Sequence, residues 1–346
     1  MGFSEKKQQS GKASTSRRRV ISILASAASL SAVGLSFSTR SAAKNNPRMF
    51  TWEGFALGAQ STIKLAHYTR NEAEKIINIA VSEIKRLERI FSLKVPYSEI
   101  SILNAKGKLS RPSFDMLSLL TEAKRYSEIS EGAFDYTVQP LWSLYSNYFR
   151  KNPNSKSGPR FSDIEKQLKL VDYRALEFNP LFVSFDRDGM KLTLNGIAQG
   201  YITDRVSDLL RKNGLSNVLV SLGETRALDS HPEGRPWQVD LKDPKSPNSI
   251  SRKINLNNMA VATSGGYGTV FDDSGQLHHL FDPRTGKSAW THVGVSVISP
   301  RATAADALST ALYITEEKDA EKLVRRTSGV TAILTKPDGT EYILKS

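Results

Sequence analysis

Two oxygen-bearing side chains stand four residues apart in the segment Asp306-Ala-Leu-Ser-Thr310. In a helix, residues with this spacing share one face, so the carboxylate of Asp306 and the hydroxyl of Thr310 can point at one cation. Hard oxygen ligands without histidine or cysteine suit Mg²⁺, which takes few protein ligands and completes its shell with water and phosphate oxygens. The same spacing also fits an ordinary amphipathic helix in which the aspartate is a cap.

The segment Asn195-Gly-Ile-Ala-Gln-Gly200 combines two glycines with the predicted start of a helix. Glycines at such a place let backbone N–H groups approach an anion, and the helix dipole favours a phosphate group there. The alternative is a glycine turn that packs a helix on a sheet without any ligand.

Two further segments carry polar side chains in predicted loops. Residues 132–141 contain Phe134 and Asp135, which fit either a binding loop or a loop with a buried ring and a capping carboxylate. The segment Ala262-Thr-Ser-Gly-Gly-Tyr267 is followed by His279. An imidazole titrates near working pH, which makes His279 a candidate general base. A structural role or a contact with a bound ligand fits this histidine equally well.

The composition limits the chemistry that remains. The chain has 346 residues, 48 Lys+Arg against 35 Asp+Glu, five histidines and no cysteine. The lack of cysteine excludes a disulfide scaffold, a thiolate metal site and a cysteine nucleophile. Residues 1–43 hold seven basic residues against one acidic residue, so the rest of the chain is only mildly basic. It has no basic run interleaved with aromatic residues, which disfavours nucleic-acid binding.

The first 43 residues have the order of an export signal. A polar basic stretch precedes Ser16-Arg-Arg-Arg19, a serine-diluted apolar segment runs over residues 20–37, and Ser41-Ala-Ala43 follows. Paired arginines before such a segment resemble a twin-arginine signal, which serves proteins exported after folding. We therefore expect residues 1–43 to be removed and residues 44–346 to work in the periplasm without a stable membrane span. An uncleaved anchor is the alternative, because the segment is nearly long enough to span.

The elements that must position these residues alternate without a strict βαβ rhythm. This favours an α+β fold of largely antiparallel sheets flanked by helices, in one domain over residues 44–346. Apolar periodicity, capping boxes and turn signals predict the elements. They are, in chain order, a strand within 57–67, a helix opening with Asn71-x-x-Glu74, a helix over 113–130, a helix at Ser162-x-x-Glu165, a hairpin over 183–194 turning at Asp188-Gly189, a helix over 196–213 closed by Gly214, strands at 218–222, 258–263 and 292–298, a helix over 303–316, and a hairpin around Pro337-Asp-Gly339.

Taken together, these segments resemble one family, the ApbE-type FAD:protein FMN transferases. The resemblance covers nearly the whole chain after residue 44 and keeps the order and approximate spacing of the family's motifs. It rests on Phe55-Ala-Leu-Gly58, Phe91-Ser92, Ser98-Glu-Ile-Ser101 with Asn104, Gly132 to Leu141, Asn195 to Tyr201, Ala262 to Tyr267, His279 to Gly286, and Ala305 to Leu312.

The resemblance implies an enzyme that binds FAD and Mg²⁺, attaches FMN through a phosphoester bond to a threonine or serine of an acceptor flavoprotein, and releases AMP. It places Mg²⁺ on Asp306, Thr310 and the backbone carbonyl of Gly196. Asp306 and His279 are the expected catalytic residues. The expected FAD contacts come from Leu57, Lys94, Ala133, Phe134, Asp135, Thr193, Gln199 and Leu280.

Several positions depart from the family's usual motifs. Leu57-Gly-Ala59 stands in place of Met-Gly-Thr, Lys94 in place of an aromatic residue, and Gly223-Glu-Thr225 in place of Gly-Gly-Asp. Thr193 and Gln199 replace an aspartate and a lysine, which removes two charges from the implied flavin pocket.

This combination of departures resembles the NosX-like branch, which is linked to nitrous-oxide reductase assembly. The resemblance then implies a periplasmic acceptor, the FMN-binding domain of a NosR-like membrane electron-transfer protein. Because the metal pair is intact, we expect an active transferase. Two alternatives stay open: a non-catalytic periplasmic flavin-binding assembly factor, and an Mg²⁺-dependent FAD pyrophosphatase that releases AMP and free FMN.

Overall fold

The computed structural model describes residues 35–36, 47–246 and 248–346. In these ranges the helices are α1 (Arg70–Phe91), α2 (Glu99–Lys106), α3 (Phe114–Ile129), α4 (Gln139–Lys151), α5 (Phe161–Leu168), α6 (Ala198–Lys212), α7 (Ala302–Ile314) and α8 (Glu317–Arg325). The strands are β1 (Leu35–Ser36), β2 (Arg48–Ala56), β3 (Ala59–His67), β4 (Lys108–Ser110), β5 (Leu176–Phe178), β6 (Phe182–Phe185), β7 (Val218–Leu222), β8 (Glu224–Leu228), β9 (Trp237–Lys242), β10 (Ile250–Leu256), β11 (Ala260–Ser264), β12 (Gly294–Ser299), β13 (Thr331–Thr335) and β14 (Glu341–Lys345).

The main sheet has nine strands in the order β1-β2-β3-β7-β8-β11-β12-β13-β14, and each neighbouring pair is antiparallel. The chain leaves this sheet after β3 and returns at β7, so that Ser61 lies opposite Leu222. The excursion contains α1 to α6 and the small sheet β4-β6-β5. This arrangement confirms the predicted α+β class.

Alternate residues of the central strands face opposite sides of the main sheet, as the two-residue period of a strand requires. Val295 and Val297 face the core formed with α1, α3, α6 and α7. Val261 and Ile333 face a second apolar cluster, which includes Trp237 of the antiparallel ribbon β9–β10. Helices therefore cover one face of the sheet and the ribbon covers part of the other.

Helices α6 and α7 pack against each other over the centre of the sheet, and both contact β8. The sequence of α7 is rich in alanine, serine and threonine, and only Ala304 and Thr310 within it are not buried. A helix that is apolar on all sides belongs in the interior, where each polar side chain needs a partner. Asp306 is therefore held inside the protein by the helix that carries it.

The predicted hairpin over residues 183–194 is wrong. Strand β6 pairs with β4 and β5 instead, and the residues that follow it form no second strand. The backbone of Leu192 exchanges two hydrogen bonds of 2.8 Å with the side chain of Asn104, and the Thr193 N–H donates to the Tyr136 carbonyl at 2.8 Å. These contacts take up the backbone groups that a hairpin would use.

The two predicted capping boxes are also wrong, although helices begin near both. Helix α1 follows Thr69, whose hydroxyl donates to Glu72 at 2.7 Å, and α5 follows Arg160. Helix α3 lies within the predicted range 113–130, and Ser113 caps it, because its hydroxyl accepts the N–H of Met116. The remaining predicted elements lie within about two residues of their expected bounds, whereas β1, β2, β4, β5, β8 to β10, α2, α4 and α8 were not predicted.

The predicted signal peptide and its cleavage site lie outside the described residues, apart from β1. This two-residue strand pairs with Trp52 and Thr51 of β2. None of the helices in the described ranges is long and apolar enough to cross a membrane.

Candidate active site

A cavity of about 280 Å³ lies where α6 and α7 meet three loops. Ten of the twelve predicted site residues line it, namely Ala133, Phe134, Asp135, Thr193, Gly196, Gln199, His279, Leu280, Asp306 and Thr310. Asp135 and Pro283 also line an open groove of about 400 Å³, so the cavity and the groove share a wall. Segments that are far apart in the sequence therefore meet in one site.

Glycines let the start of α6 approach α7 beside this cavity. A Cβ atom at Gly200 would lie 2.3 Å from the carbonyl oxygen of Ala302, and one at Gly196 would lie 2.9 Å from Oγ1 of Thr310. Neither distance is possible for a real Cβ atom without a shift, so the close packing of the two helices depends on glycine. The main chain at Gly196 and the Thr310 hydroxyl are near neighbours, as the predicted metal site requires.

Asp306 is anchored through one carboxylate oxygen. Its Oδ2 accepts the N–H of Gly200 at 2.9 Å, while its Oδ1 has no hydrogen-bond partner among the described residues. Removal from solvent raises the pKa of Asp306, against the opposing effect of the Gly200 hydrogen bond. A buried carboxylate with a free oxygen gains stability from a proton or from a cation.

Glu224 is a second carboxylate in the cavity lining. Its pKa is raised because it is removed from solvent and lies near Asp306, although a hydrogen bond from the Thr263 backbone opposes this shift. In the described part of the chain, no lysine or arginine lines the cavity. Among the described residues, no group of three or more histidine or carboxylate side chains is placed to hold a metal ion. The oxygen atoms that line the cavity therefore fit Mg²⁺, a hard cation that takes few protein ligands.

Two adjacent histidines beside the cavity adopt opposite tautomers. Nδ1 of His279 lies 3.2 Å from the carbonyl oxygen of Thr269, which can only accept, so Nδ1 carries the proton and Nε2 is free to accept one. Nδ1 of His278 instead accepts the N–H of Leu280 at 3.2 Å, so its proton is on Nε2, 3.4 Å from the Tyr313 hydroxyl. Burial lowers the pKa of both imidazoles, that of His278 to about 4. Both are therefore neutral at pH 7.

The predicted loop at Ala133 to Asp135 is held by its own hydrogen bonds. Oδ1 of Asp135 accepts from the N–H of Thr137 at 2.7 Å and from its hydroxyl at 2.6 Å, and Oδ2 accepts from Tyr173 N–H at 3.1 Å. Burial raises the pKa of Asp135. Both oxygens are thus engaged within the protein, which fixes the shape of this wall.

Leu57 and Lys94 do not line the cavity. Leu57 lies in the turn between β2 and β3, where its N–H donates to Glu88 at 2.7 Å, and Nζ of Lys94 approaches the neighbouring Gly58. Because β3 pairs with β7, this turn lies at the same end of the sheet as Gly223, against which Gln199 packs. The two residues are therefore near the site but outside the cavity wall.

Among the residues of the cavity wall that the sequence does not assign to the site, Glu224, Trp142 and Tyr267 bring a charge or an aromatic ring that bears on ligand binding. Glu224 was recognised only as a departure from the family motif, although an acidic residue directly after a strand and a glycine is a usable signal. Trp142 and Tyr267 bring aromatic surface to the cavity. Trp142 lies on α4, a helix that was not predicted, so no signal placed it here.

Solved structures share this architecture. The ApbE protein from Thermotoga maritima is 28% identical, with a TM-score of 0.74 over 86% of this chain and 97% of that one. The flavinyl transferase ApbE from Pseudomonas stutzeri, in its apo form, has a TM-score of 0.74 over 88% of this chain and 97% of that one, and at 24% identity it shows likeness of fold. The chain therefore has the fold of these ApbE proteins.

Residues 57–334 match the model of the ApbE family, so the chain belongs to that family. The FAD:protein FMN transferase of Haemophilus influenzae is 29% identical over 259 residues, which are 72% of this chain and 75% of that protein. The enzyme of the same name from Klebsiella pneumoniae is 29% identical over 276 residues, 77% of this chain and 82% of its own. The predicted family and enzyme class are confirmed.

Proposed function

We propose that this chain is an Mg²⁺-dependent FAD:protein FMN transferase, which attaches FMN to a hydroxyl of an acceptor protein and releases AMP. One observation carries the proposal: Asp306 and Glu224 face the cavity, and no lysine or arginine in the described ranges does so. A pyrophosphate brings further negative charge, so its binding here requires a cation. The relatives named above support FAD as the substrate.

The cavity and the adjoining groove suit a substrate made of two joined nucleotides. Their volumes are about 280 and 400 Å³, and Asp135 and Pro283 belong to both walls. Trp142 and Tyr267 offer aromatic surface for stacking a flat ring system. FAD has two ring systems at the ends of a pyrophosphate link, so it can extend from one compartment into the other.

Asp306, Thr310 and the carbonyl of Gly196 would hold Mg²⁺. When bound, the ion neutralises charge that develops on the departing AMP phosphate. The protein's own contribution is positional. The Gly200 N–H fixes one oxygen of Asp306, and the Ser264 hydroxyl lies 3.2 Å from the Thr310 hydroxyl, so both side chains have defined orientations before any ligand binds.

His279 is the general base in this proposal. The acceptor hydroxyl oxygen bonds to the phosphorus of the FMN half, the phosphorus–oxygen bond to AMP breaks, and the hydroxyl proton passes to Nε2 of His279. The Thr269 carbonyl leaves this nitrogen unprotonated, and the lowered pKa keeps the imidazole neutral at pH 7. His278 cannot take this part because its Nε2 already carries a proton.

An incubation with FAD separates the three possible activities. The protein with FAD, Mg²⁺ and a flavin-free acceptor domain should form covalently bound FMN and one AMP for each FMN. A chelator in excess over Mg²⁺ should abolish both products. Chromatography of nucleotides and in-gel flavin fluorescence measure the two. Free FMN without labelled acceptor would favour the pyrophosphatase, and unchanged FAD would favour the non-catalytic assembly factor.

The protein works in the periplasm on this proposal, and its acceptor is the FMN-binding domain of a NosR-like membrane electron-transfer protein. The twin-arginine-like signal in residues 1–43 and the NosX-like combination of motifs support this assignment. A covalent link also keeps flavin bound to a protein in a compartment where flavin is not made.

Deleting the gene for this chain should leave the acceptor present but without covalent flavin. The same loss is expected when Arg17 and Arg18 are both changed to lysine, because a twin-arginine signal is read as an address rather than as charge alone. Mass spectrometry of periplasmic protein should find a mature form that begins near Lys44. An acceptor that still fluoresces on a denaturing gel in a strain with no second transferase would rule out the acceptor assignment.

A further inference from the structure

The two helices that carry the site both lack a capping side chain of their own. Ile197 precedes α6 and Arg301 precedes α7, and neither side chain caps the first turn. The first N–H groups of a helix have no partner within the helix, and both of these helix starts are buried. Their partners must therefore come from another part of the chain.

Each helix caps the other through a carboxylate. Asp306 of α7 accepts the N–H of Gly200, the third residue of α6, at 2.9 Å. Asp204 of α6 accepts the N–H of Ala302 at 3.0 Å and the N–H of Thr303 at 2.9 Å, the first two residues of α7. The Thr303 hydroxyl also donates to Asp204, at 2.7 Å. This reciprocal capping fixes one helix start against the other.

The two carboxylates differ in what else they can bind. Asp204 is fully buried and also accepts from Arg226 at 2.8 Å and from Arg301 at 3.1 Å, so it has five donors and is not part of the cavity wall. Asp306 has one donor and a second oxygen that faces the cavity. Asp204 is therefore suited to hold the helices, and Asp306 to hold a ligand.

We propose that Asp204 is a positioning residue for the cation site, an inference that rests on the proposed function. It fixes the first turn of α7, and Asp306 lies one turn further along the same helix. Gly196 lies just before α6, so the contact between Asp204 and α7 also sets the separation of Gly196 from Thr310. A partner that orients a metal ligand typically contributes about 10- to 100-fold in metal affinity.

The test measures how tightly the full chain binds Mn²⁺ in the presence of AMP. Binding is monitored through the electron paramagnetic resonance signal of the free Mn²⁺. The Asp204→Asn variant should bind Mn²⁺ about 10- to 100-fold more weakly. Transfer assays should show a higher Mg²⁺ requirement, with most of the maximal rate regained at saturating Mg²⁺. Each measurement is made well below the temperature at which half of the variant is unfolded. A loss of stability alone therefore does not change the measured Mn²⁺ affinity or Mg²⁺ requirement.

Asp208→Asn is the matched control. Asp208 binds the same two arginines, Arg226 at 2.9 Å and Arg301 at 3.0 Å, but it contacts no N–H of α7. Its Mn²⁺ affinity should stay close to that of the wild type. An equal loss in both variants would assign the effect to charge alone and overturn the inference. If Asp204→Asn does not fold, Thr303→Val removes one hydrogen bond to Asp204, and its Mn²⁺ affinity should fall while that of the control does not.

Failure of this inference differs from failure of the proposed function. Wild-type protein that binds Mn²⁺ with AMP, beside an Asp306→Asn variant that does not, establishes the cation site. Unchanged Mn²⁺ binding by Asp204→Asn then overturns the positioning role alone. A wild-type protein without cation binding overturns both.

Discussion

Changing Asp306 to asparagine should reduce FMN transfer by at least about 10³-fold, beyond the loss expected for a residue that only orients a ligand. The amide has nearly the same volume and can still accept the Gly200 N–H, so the capping contact is kept. What is lost is the negative charge that, in the proposed function, the free oxygen offers to Mg²⁺. Covalent flavin on the acceptor, measured over time by in-gel fluorescence at the same Mg²⁺ concentration for both proteins, gives the rate.

The stability of this variant separates chemistry from folding. In the absence of a cation, burial opposes the charge of Asp306, so asparagine should leave the unfolding temperature unchanged or raise it. Asp306→Ala is a poorer choice, because it leaves the buried N–H of Gly200 without an acceptor, at a cost of about 1–3 kcal/mol. Normal transfer by Asp306→Asn would show that the metal assignment is wrong.

Changing His279 to glutamine should lower the rate of transfer by about 10²- to 10⁴-fold, the range typical of a general base. Glutamine is similar in length, and its amide can donate to the Thr269 carbonyl as Nδ1 does, but it cannot take a proton from the acceptor hydroxyl. The affinity for FAD should change little. Single-turnover transfer, beside equilibrium binding of FAD, measures the two separately.

The pH dependence gives a second readout for His279. Its pKa is below the ordinary value of 6.5, so at saturating Mg²⁺ the wild-type rate should be level above that pH and should fall as the pH drops further and Nε2 gains a proton. The His279→Gln variant should lack this fall. Burial raises the pKa of Asp306 to about 7, so protonation of Asp306 also lowers the rate from neutral pH downward when Mg²⁺ is limiting. That effect moves with the Mg²⁺ concentration because proton and cation compete. His231→Gln, a change outside the cavity wall, serves as the control.

Some of the site could be predicted from the sequence because it depends on spacing within single elements. Asp306 and Thr310 do share a helix and a cavity, as a separation of four residues indicates. The start of α6 lies within two residues of its prediction, and Gly214 follows the helix with a φ of +82°. Helix periodicity and glycine conformation are local properties, and the sequence reports them directly.

The rest depends on contacts between distant segments. Nothing local shows that Asn104 takes the backbone hydrogen bonds of Leu192, and this contact is why the predicted hairpin fails. The tautomer of His279 is set by a carbonyl ten residues earlier, and the meeting of Glu224 with Asp306 requires the folded sheet. The two-residue period of a strand and the four-residue spacing on a helix face carry no information about contacts between distant segments.

The strand order of the main sheet has a consequence for how the protein is made. Neighbouring strands β3 and β7 are separated by the whole helical excursion, and the hydrogen bond between Gly200 and Asp306 closes a gap of 106 residues. Closing a long loop costs chain entropy before its contacts form. We therefore expect the main sheet to assemble late and cooperatively, and the protein to fold slowly. The cavity wall needs α7, which is synthesised after every other segment that lines the cavity. A nascent chain that has not reached α7 therefore has no complete flavin site, and capture of FAD has to wait until α7 has been made and has packed against α6.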